Sequence, residues 1–158
     1  GRVTVEKNLP AFLDLDLPGS KVVVGSGPAR EPLMAKYPET PFFIADGDQD
    51  LVRYYNAADV FVFPSVTDTF GLVMLEALAC GVPVAAFPVT GPKDVIGTST
   101  VGVLDTDLAA AAVKAQGIDP VLCREHALKF SWDTVVSEFV DYLAPFTPPQ
   151  EPSAQAAQ

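Results

Sequence analysis

Two carboxylates, Asp68 and Glu76, flank seven residues within "TDTFGLVMLEALACG". Between them lie a polar turn and the start of a segment with helical spacing, Gly71–Cys80, in which every residue but Glu76 is uncharged. An α-helix rises about 1.5 Å per residue, which puts Glu76 ~7–8 Å along the axis from Gly71. Asp68 falls beyond the other end, in the turn. Gly71, Leu72 and Val73 would present free N–H groups at the helix N-terminus, a ready site for an anion. A single ligand reaching both acids and these N–H groups would be extended, anionic in the middle and hydroxylated at each end. A nucleotide sugar has that layout. Each acid also has a plainer role, Asp68 as an N-cap or turn residue and Glu76 as the partner of a buried Arg. The helix is apolar on every side, which predicts burial, and a buried carboxylate must find a partner.

The elements around this stretch follow from short β-branched or aromatic runs alternating with helical spacings. Strands are expected over Lys21–Val24, Pro41–Ile44, Asp59–Phe63, Pro83–Ala86 and Val101–Leu104. Helices are expected over Lys7–Leu15, Arg30–Lys36, Gln49–Ala57 and Gly71–Cys80. This alternation predicts βαβ units, hence an α/β fold with a Rossmann-like parallel sheet flanked by helices on both faces. The strands read as continuous apolar runs, as strands buried on both faces do. After Leu104 the pattern is purely helical, over Leu108–Ala115, Pro120–Lys129 and Trp132–Leu143. The tail over residues 146–158 has no periodicity and is rich in Pro, Gln and Ala, which predicts disorder.

In open α/β sheets ligands gather beyond the carboxyl ends of the strands, so the strand-to-helix turns matter most. One holds Asp68. Another is "VVVGSGPAR", where Gly25 and Gly27 would let backbone come close to a ligand and Pro28 suits the start of a helix. It matches neither G-x-G-x-x-G nor a P-loop, which argues against a nicotinamide dehydrogenase, and an ordinary tight turn would look the same.

The 158 residues carry 20 acidic and 10 basic side chains, a net charge of −10. A surface so acidic disfavours nucleic acid and anionic membrane as main partners, since both need a positive field. With 49% hydrophobic residues the chain can bury one domain's core. No apolar run approaches the ~18 residues of a membrane span. Cys80 and Cys123 read as free thiols in a reducing cytosol. No His/Cys/Asp cluster has metal-ligand spacing, and His126, the single histidine, suits a structural or surface role in a late helix.

"PSVTDTFGLVMLEALACGVPVAA" resembles the signature of the retaining GT-B glycosyltransferases of family 4, two acids flanking seven residues in a block like S-x-x-E-T-F-G-L-V-x-L-E-A-M-A-x-G-x-P-V. "GRVTVEKN", "VVVGSGPAREPL" and "YNAADVFVFPS" resemble three further motifs of that family, in its order and spacing over roughly residues 1–145. The resemblance implies the C-terminal, donor-binding half of such an enzyme over residues 1–145. The N-terminal acceptor domain would lie outside these residues. It implies that Arg2 and Lys7 bind the donor diphosphate, and that Asp68 contacts hydroxyls of the transferred sugar. The backbone of Gly25 and of Phe70, Gly71, Leu72 and Val73 would line the donor, and Glu76 would accept the ribose hydroxyls. Catalysis would rest on Asp68, Arg2 and Lys7, without a metal and with no cofactor beyond a UDP- or GDP-linked sugar. The acceptor would be a lipid or glycan. The enzyme would be cytoplasmic, with room for peripheral contact at the inner face of the membrane.

Two departures stand out: Asp68 replaces the usual Glu, and "FFIADGDQDL" offers Ile44 and Asp46 where the family has F-x-G and a basic residue, so no base is assigned. A nucleotide-sugar epimerase of the same architecture, or a non-catalytic sugar-nucleotide-binding module, are the competing expectations. Arg2, Lys7 and the spacing of the two acids argue against the first.

Overall fold

The computed structural model describes residues 1–143, so the expected disordered tail lies outside the described residues. A short 3₁₀ turn, Val5–Lys7, leads into α1, Leu9–Leu13. There follow β1 (Val23–Val24), α2 (Arg30–Lys36), β2 (Phe42–Phe43), α3 (Asp48–Asn56), β3 (Phe61–Phe63) and α4 (Leu72–Ala79). The chain continues through β4 (Val84–Ala86), α5 (Thr90–Val95), β5 (Gly102–Leu104), α6 (Leu108–Ala115), α7 (Pro120–Ala127), a 3₁₀ turn at Leu128–Phe130, and α8 (Trp132–Asp141). All five expected strands are present, trimmed at their ends, and all pairings are parallel.

The strands form two sheets rather than one: β1 pairs with β2, while β3, β4 and β5 lie side by side in that order. Phe61, Val84 and Gly102 stand in register across the second sheet. Alternation along β4 shows why helices cover both its faces. Val84 and Ala86 join the core beneath α4, with Met74, Ala77, Leu78 and Cys123. Ala85 points the other way, onto Ala111, Ala112 and Ala115 of α6, where small side chains let helix and sheet approach closely. Only β4 is buried at every position; β3 and β5 are partly covered and β2 is open at Phe43.

The first sheet carries a smaller core of Val3, Leu13, Val23, Leu33 and Phe42. Between β1 and β3 lies a cavity of about 750 Å³, lined by Val22–Val24 on one wall and Val60–Phe63 on the other.

Helix α5 lies between two expected strands where no helix was expected, with Gly91 and Pro92 buried in its first turn. The three last helices start where the sequence supplies caps: Asp107 accepts from the Ala110 N–H, Asp119 from Val121 and Ser131 from Thr134. Helix α8 buries none of its residues and leaves Trp132, Phe139 and Val140 exposed, with Trp132 at 82%.

The expectation that α4 is buried all round needs correction. Met74, Ala77 and Leu78 face the core, but Leu72, Glu76 and Ala79 form an exposed stripe at helical spacing, with Leu72 at 65%. Burial is decided by what covers each side, and α7, whose Arg124 donates to the Ala79 carbonyl, covers only part of the helix.

Candidate functional site

The loop before α1 is pinned to the rest of the domain by backbone. Val3 N–H donates to the Ser26 carbonyl at 2.8 Å, and Ala29 N–H to the Val3 carbonyl at 3.1 Å. This contact explains the two glycines of "VVVGSGPAR". A Cβ on Gly25 would sit 1.7 Å from the Gly1 carbonyl oxygen, and one on Gly27 would sit 2.3 Å from that of Val3. The bare backbone at Gly25 therefore admits the chain's own first residues. Pro28 precedes α2, which begins at Arg30.

The same loop reaches across to the turn after β3. Asn8, held in the left-handed conformation at φ 51°, donates through its side chain to the Pro64 carbonyl at 3.1 Å. Ser65, buried at the end of β3, donates to the Glu6 carbonyl at 3.3 Å. Lys7 Nζ donates to Asp68 Oδ1 at 2.5 Å, with both side chains mostly covered. Arg2 is exposed nearby and its charge also acts on Asp68. Burial pushes the Asp68 carboxyl up, but hydrogen bonding from Lys7 and the nearby Ser65 hydroxyl, with the Lys7 and Arg2 charges, outweighs it and holds it below its ordinary range. Its other oxygen, Oδ2, is buried and makes no close hydrogen bond among the described residues, with the rotatable Ser65 hydroxyl its nearby donor.

Helix α4 begins differently from the capped helices. Gly71 is its N-cap in the left-handed region, at φ 89°, and no side chain caps it. A Cβ there would lie 2.7 Å from Met74 Cε and 3.1 Å from Phe63 Cζ, so glycine is required by both conformation and packing. The first N–H groups of the helix have no intrahelical acceptor and no side-chain cap. Gly1 flanks Val73, within 3.8 Å of a built Cβ. The Phe70 ring turns away, 6.3 Å from Phe130. The start of α5 braces the turn from beneath, where a Cβ on Gly91 would meet the Asp68 and Phe70 carbonyls at 2.8 and 2.9 Å.

One turn further along α4, Glu76 Oε2 accepts a hydrogen bond from the Tyr55 hydroxyl at 3.0 Å. The partner is thus a phenol from α3 and not a buried arginine. Tyr55, the first residue of "YNAADVFVFPS", had no role assigned from sequence, and its ring lies in the core. His126 takes the structural role expected of it, with Nε2 2.8 Å from the Val95 carbonyl. Among the described residues no group of three His, Cys, Asp or Glu could hold a metal ion, and no helix is long and apolar enough to cross a membrane.

Arg2, Lys7, Asp68 and the start of α4 therefore converge on the carboxyl end of β3, with Glu76 on the exposed side of the same helix. Residues 10–117 match the family described as Glycosyl transferases group 1. The chain belongs to that family. Among curated relatives of this group 1 chain, it is 39% identical over 113 residues to a D-inositol 3-phosphate glycosyltransferase of Saccharomonospora viridis, covering 65% of the chain and 26% of the relative. It is 32% identical to the enzyme of the same name from Mycobacteroides abscessus, over 89% of the chain and 38% of the relative. The chain thus spans well under half the length of these relatives. In fold it is similar to AviGT4, a glycosyltransferase involved in avilamycin A biosynthesis, with TM-score 0.68 and 18% identity over 89% of this chain and 48% of that one. It is also similar to TarM, with TM-score 0.71 and 17% identity over 89% of this chain and 33% of that one. A further fold relative is the pneumococcal O-GlcNAc transferase GtfA, solved with UDP and GlcNAc, with TM-score 0.59 and 18% identity over 87% of this chain and 31% of that one. The group 1 chain therefore has the parallel α/β fold seen in GT-B glycosyltransferases.

Proposed function

We propose that this group 1 domain is the donor-binding, C-terminal half of a retaining, metal-independent glycosyltransferase of family 4. It binds a UDP- or GDP-sugar at the turn between β3 and α4. The observation that carries the reading is the Lys7–Asp68 pair, which brings the cationic loop against the uncapped N-terminus of α4. Three kinds of group meet there: cations, uncapped backbone donors and the second oxygen of a carboxylate.

In sugar transfer the bond from the anomeric carbon to the diphosphate breaks, and its electron pair goes to the departing phosphate oxygen. Arg2 and Lys7 stabilise that growing charge, together with the N–H groups of Phe70, Gly71, Leu72 and Val73. Lys7 must shift part of its contact from Asp68 to phosphate as donor enters. Asp68 then accepts from hydroxyls of the transferred sugar, one methylene shorter than the usual Glu, and Glu76 accepts from the ribose. Gly25 contributes by seating the first loop. The acceptor, a lipid or glycan, is bound by a domain upstream of these residues, and the longer enzyme works in the cytoplasm with peripheral contact at the membrane. The names of curated relatives, a D-inositol 3-phosphate glycosyltransferase and a sulfoquinovosyl transferase, support sugar transfer as the activity of the longer enzyme.

Calorimetry of the chain against UDP, GDP and ADP tests the reading. One of them should bind, and Glu76→Gln should weaken it by about 1.5–3 kcal/mol, the scale of a hydrogen bond to a charged group. The 158-residue chain by itself should transfer no sugar. Unchanged affinity in folded Glu76→Gln, or measurable transfer by the chain alone, overturns the corresponding half.

A further inference from the structure

The contact between Tyr55 and Glu76 joins residues of opposite character. Tyr55 is only 7% exposed and its ring is held edge-on against Phe61, with centroids 5.7 Å apart and planes at 71°, inside the core under α4. Glu76 is exposed on the outer stripe of that helix. A carboxylate in that position is solvated by water and needs no protein partner to be stable. A phenylalanine would fill the ring's site equally well. The hydroxyl nonetheless reaches 3.0 Å from Glu76 Oε2, and only 3.4 Å from its other neighbour, the Val73 carbonyl. Its single proton is best used on the carboxylate. Burial, with the negative charge of Glu76, pushes the phenol above its ordinary pKa, so it is a donor at neutral pH.

We propose that Tyr55 is a positioning residue for the donor site, a core-anchored post that fixes the Glu76 carboxylate in the rotamer that meets the ribose. This rests on the donor-binding reading above. With Oε2 tethered by the phenol, Oε1 and the remaining lone pair of Oε2 are left as two acceptors for the two neighbouring hydroxyls of a ribose. A free glutamate on an exposed helix face would have to be immobilised at each binding event, and Tyr55 removes that entropy loss in advance.

The test is a double-mutant cycle on the full chain, with wild type, Tyr55→Phe, Glu76→Gln and the double variant. Each is titrated with UDP, GDP and ADP and with their 2′,3′-dideoxy counterparts. Tyr55→Phe deletes one oxygen and keeps the packed ring, and a thermal melt of each variant verifies folding. Tyr55→Phe is expected to weaken the bound ribonucleotide by about three- to tenfold, the effect of freeing one rotamer-rich side chain. It should leave the dideoxy nucleotide nearly unaffected and add little once Glu76 is already Gln. Equal weakening of ribo and dideoxy forms, or the same loss in both Glu76 backgrounds, would mean a general effect on the fold and would overturn the proposal. If Glu76→Gln weakens binding and Tyr55→Phe does not, the positioning role fails while the donor-binding reading stands. If none of the three ribonucleotides binds, or Glu76→Gln has no effect, the donor-binding reading fails and this inference with it. Should Tyr55→Phe melt early, Glu76→Asp is uninformative alone, because it also moves the carboxylate away from the ribose. The Tyr55→Phe titrations are then run well below that variant's melting temperature, where the ribose-selective loss must appear with Glu76 present and vanish in the Glu76→Gln background.

Discussion

The two sheets of the domain are built to different standards. Around β3, β4 and β5 the core closes completely, with Met74, Ala77, Leu78, Val84 and Ala86 inaccessible to solvent. Around β1 and β2 the core is a handful of residues, and Leu33 and Phe42 remain 9% exposed. The chemistry divides along the same line. The loosely packed half supplies the cations, Arg2 and Lys7, and the densely packed half supplies the acids and the uncapped helix. On the proposed reading, the turn and helix would receive the donor's oxygens and must hold their geometry, whereas a lysine exchanging a carboxylate for a phosphate would have to move. Direct polar contacts between the halves, Lys7 to Asp68, Asn8 to Pro64 and Ser65 to Glu6, fall at the candidate site.

The largest test of that contrast is a pair of core truncations. Met74→Ala, beneath Gly71 and fully buried, should cost about 2–5 kcal/mol in urea unfolding, near the upper end, because the closed core cannot collapse onto the cavity. Leu33→Ala should fall toward the lower end. Equal losses would erase the distinction between the halves.

Gly25→Ala should separate stability from binding. The new methyl would have to push aside the Gly1 carbonyl, displacing the loop of Arg2 and Lys7 while leaving β3–β5 intact. Nucleotide affinity is expected to fall by more than tenfold, with the main unfolding transition little moved. A variant that binds normally would show that the loop tolerates displacement.

The smallest effect belongs to the Lys7–Asp68 pair. Because Asp68 titrates below its unfolded value of 3.8, its contribution is present above that pH and lost as pH falls through the lower folded value. In Asp68→Asn the decline in stability between about pH 5 and pH 2 should be shallower than in wild type. The difference at neutral pH should be only ~1 kcal/mol or less for a pair with this much solvent contact. An identical acid profile in the two proteins would remove the pair as a link between the halves.

Much of the dense half was legible in the sequence. Val60–Phe63, Pro64–Phe70 and the apolar run after Gly71 specify strand, turn and helix by local chemistry, and the structure places them there. Which side of α4 meets solvent was not legible, since a helix with Leu72, Ala79 and Leu78 at its several faces carries no periodic signal, and only the placement of α7 decides it. The Tyr55–Glu76 contact joins positions 21 apart, from α3 to α4, which no short-range pattern encodes. The division into two sheets was equally hidden, because each strand alone satisfies the pattern of a single continuous one.

Helix α8 has a practical consequence. Trp132 is the chain's single tryptophan and stands almost free of the fold at its first turn. Its emission in the native state should already be that of a water-exposed indole. Unfolding the core will hardly change its colour, whereas any molecule that settles over α8 will shift it to the blue. The domain thus carries a built-in optical reporter for contacts made at its last helix.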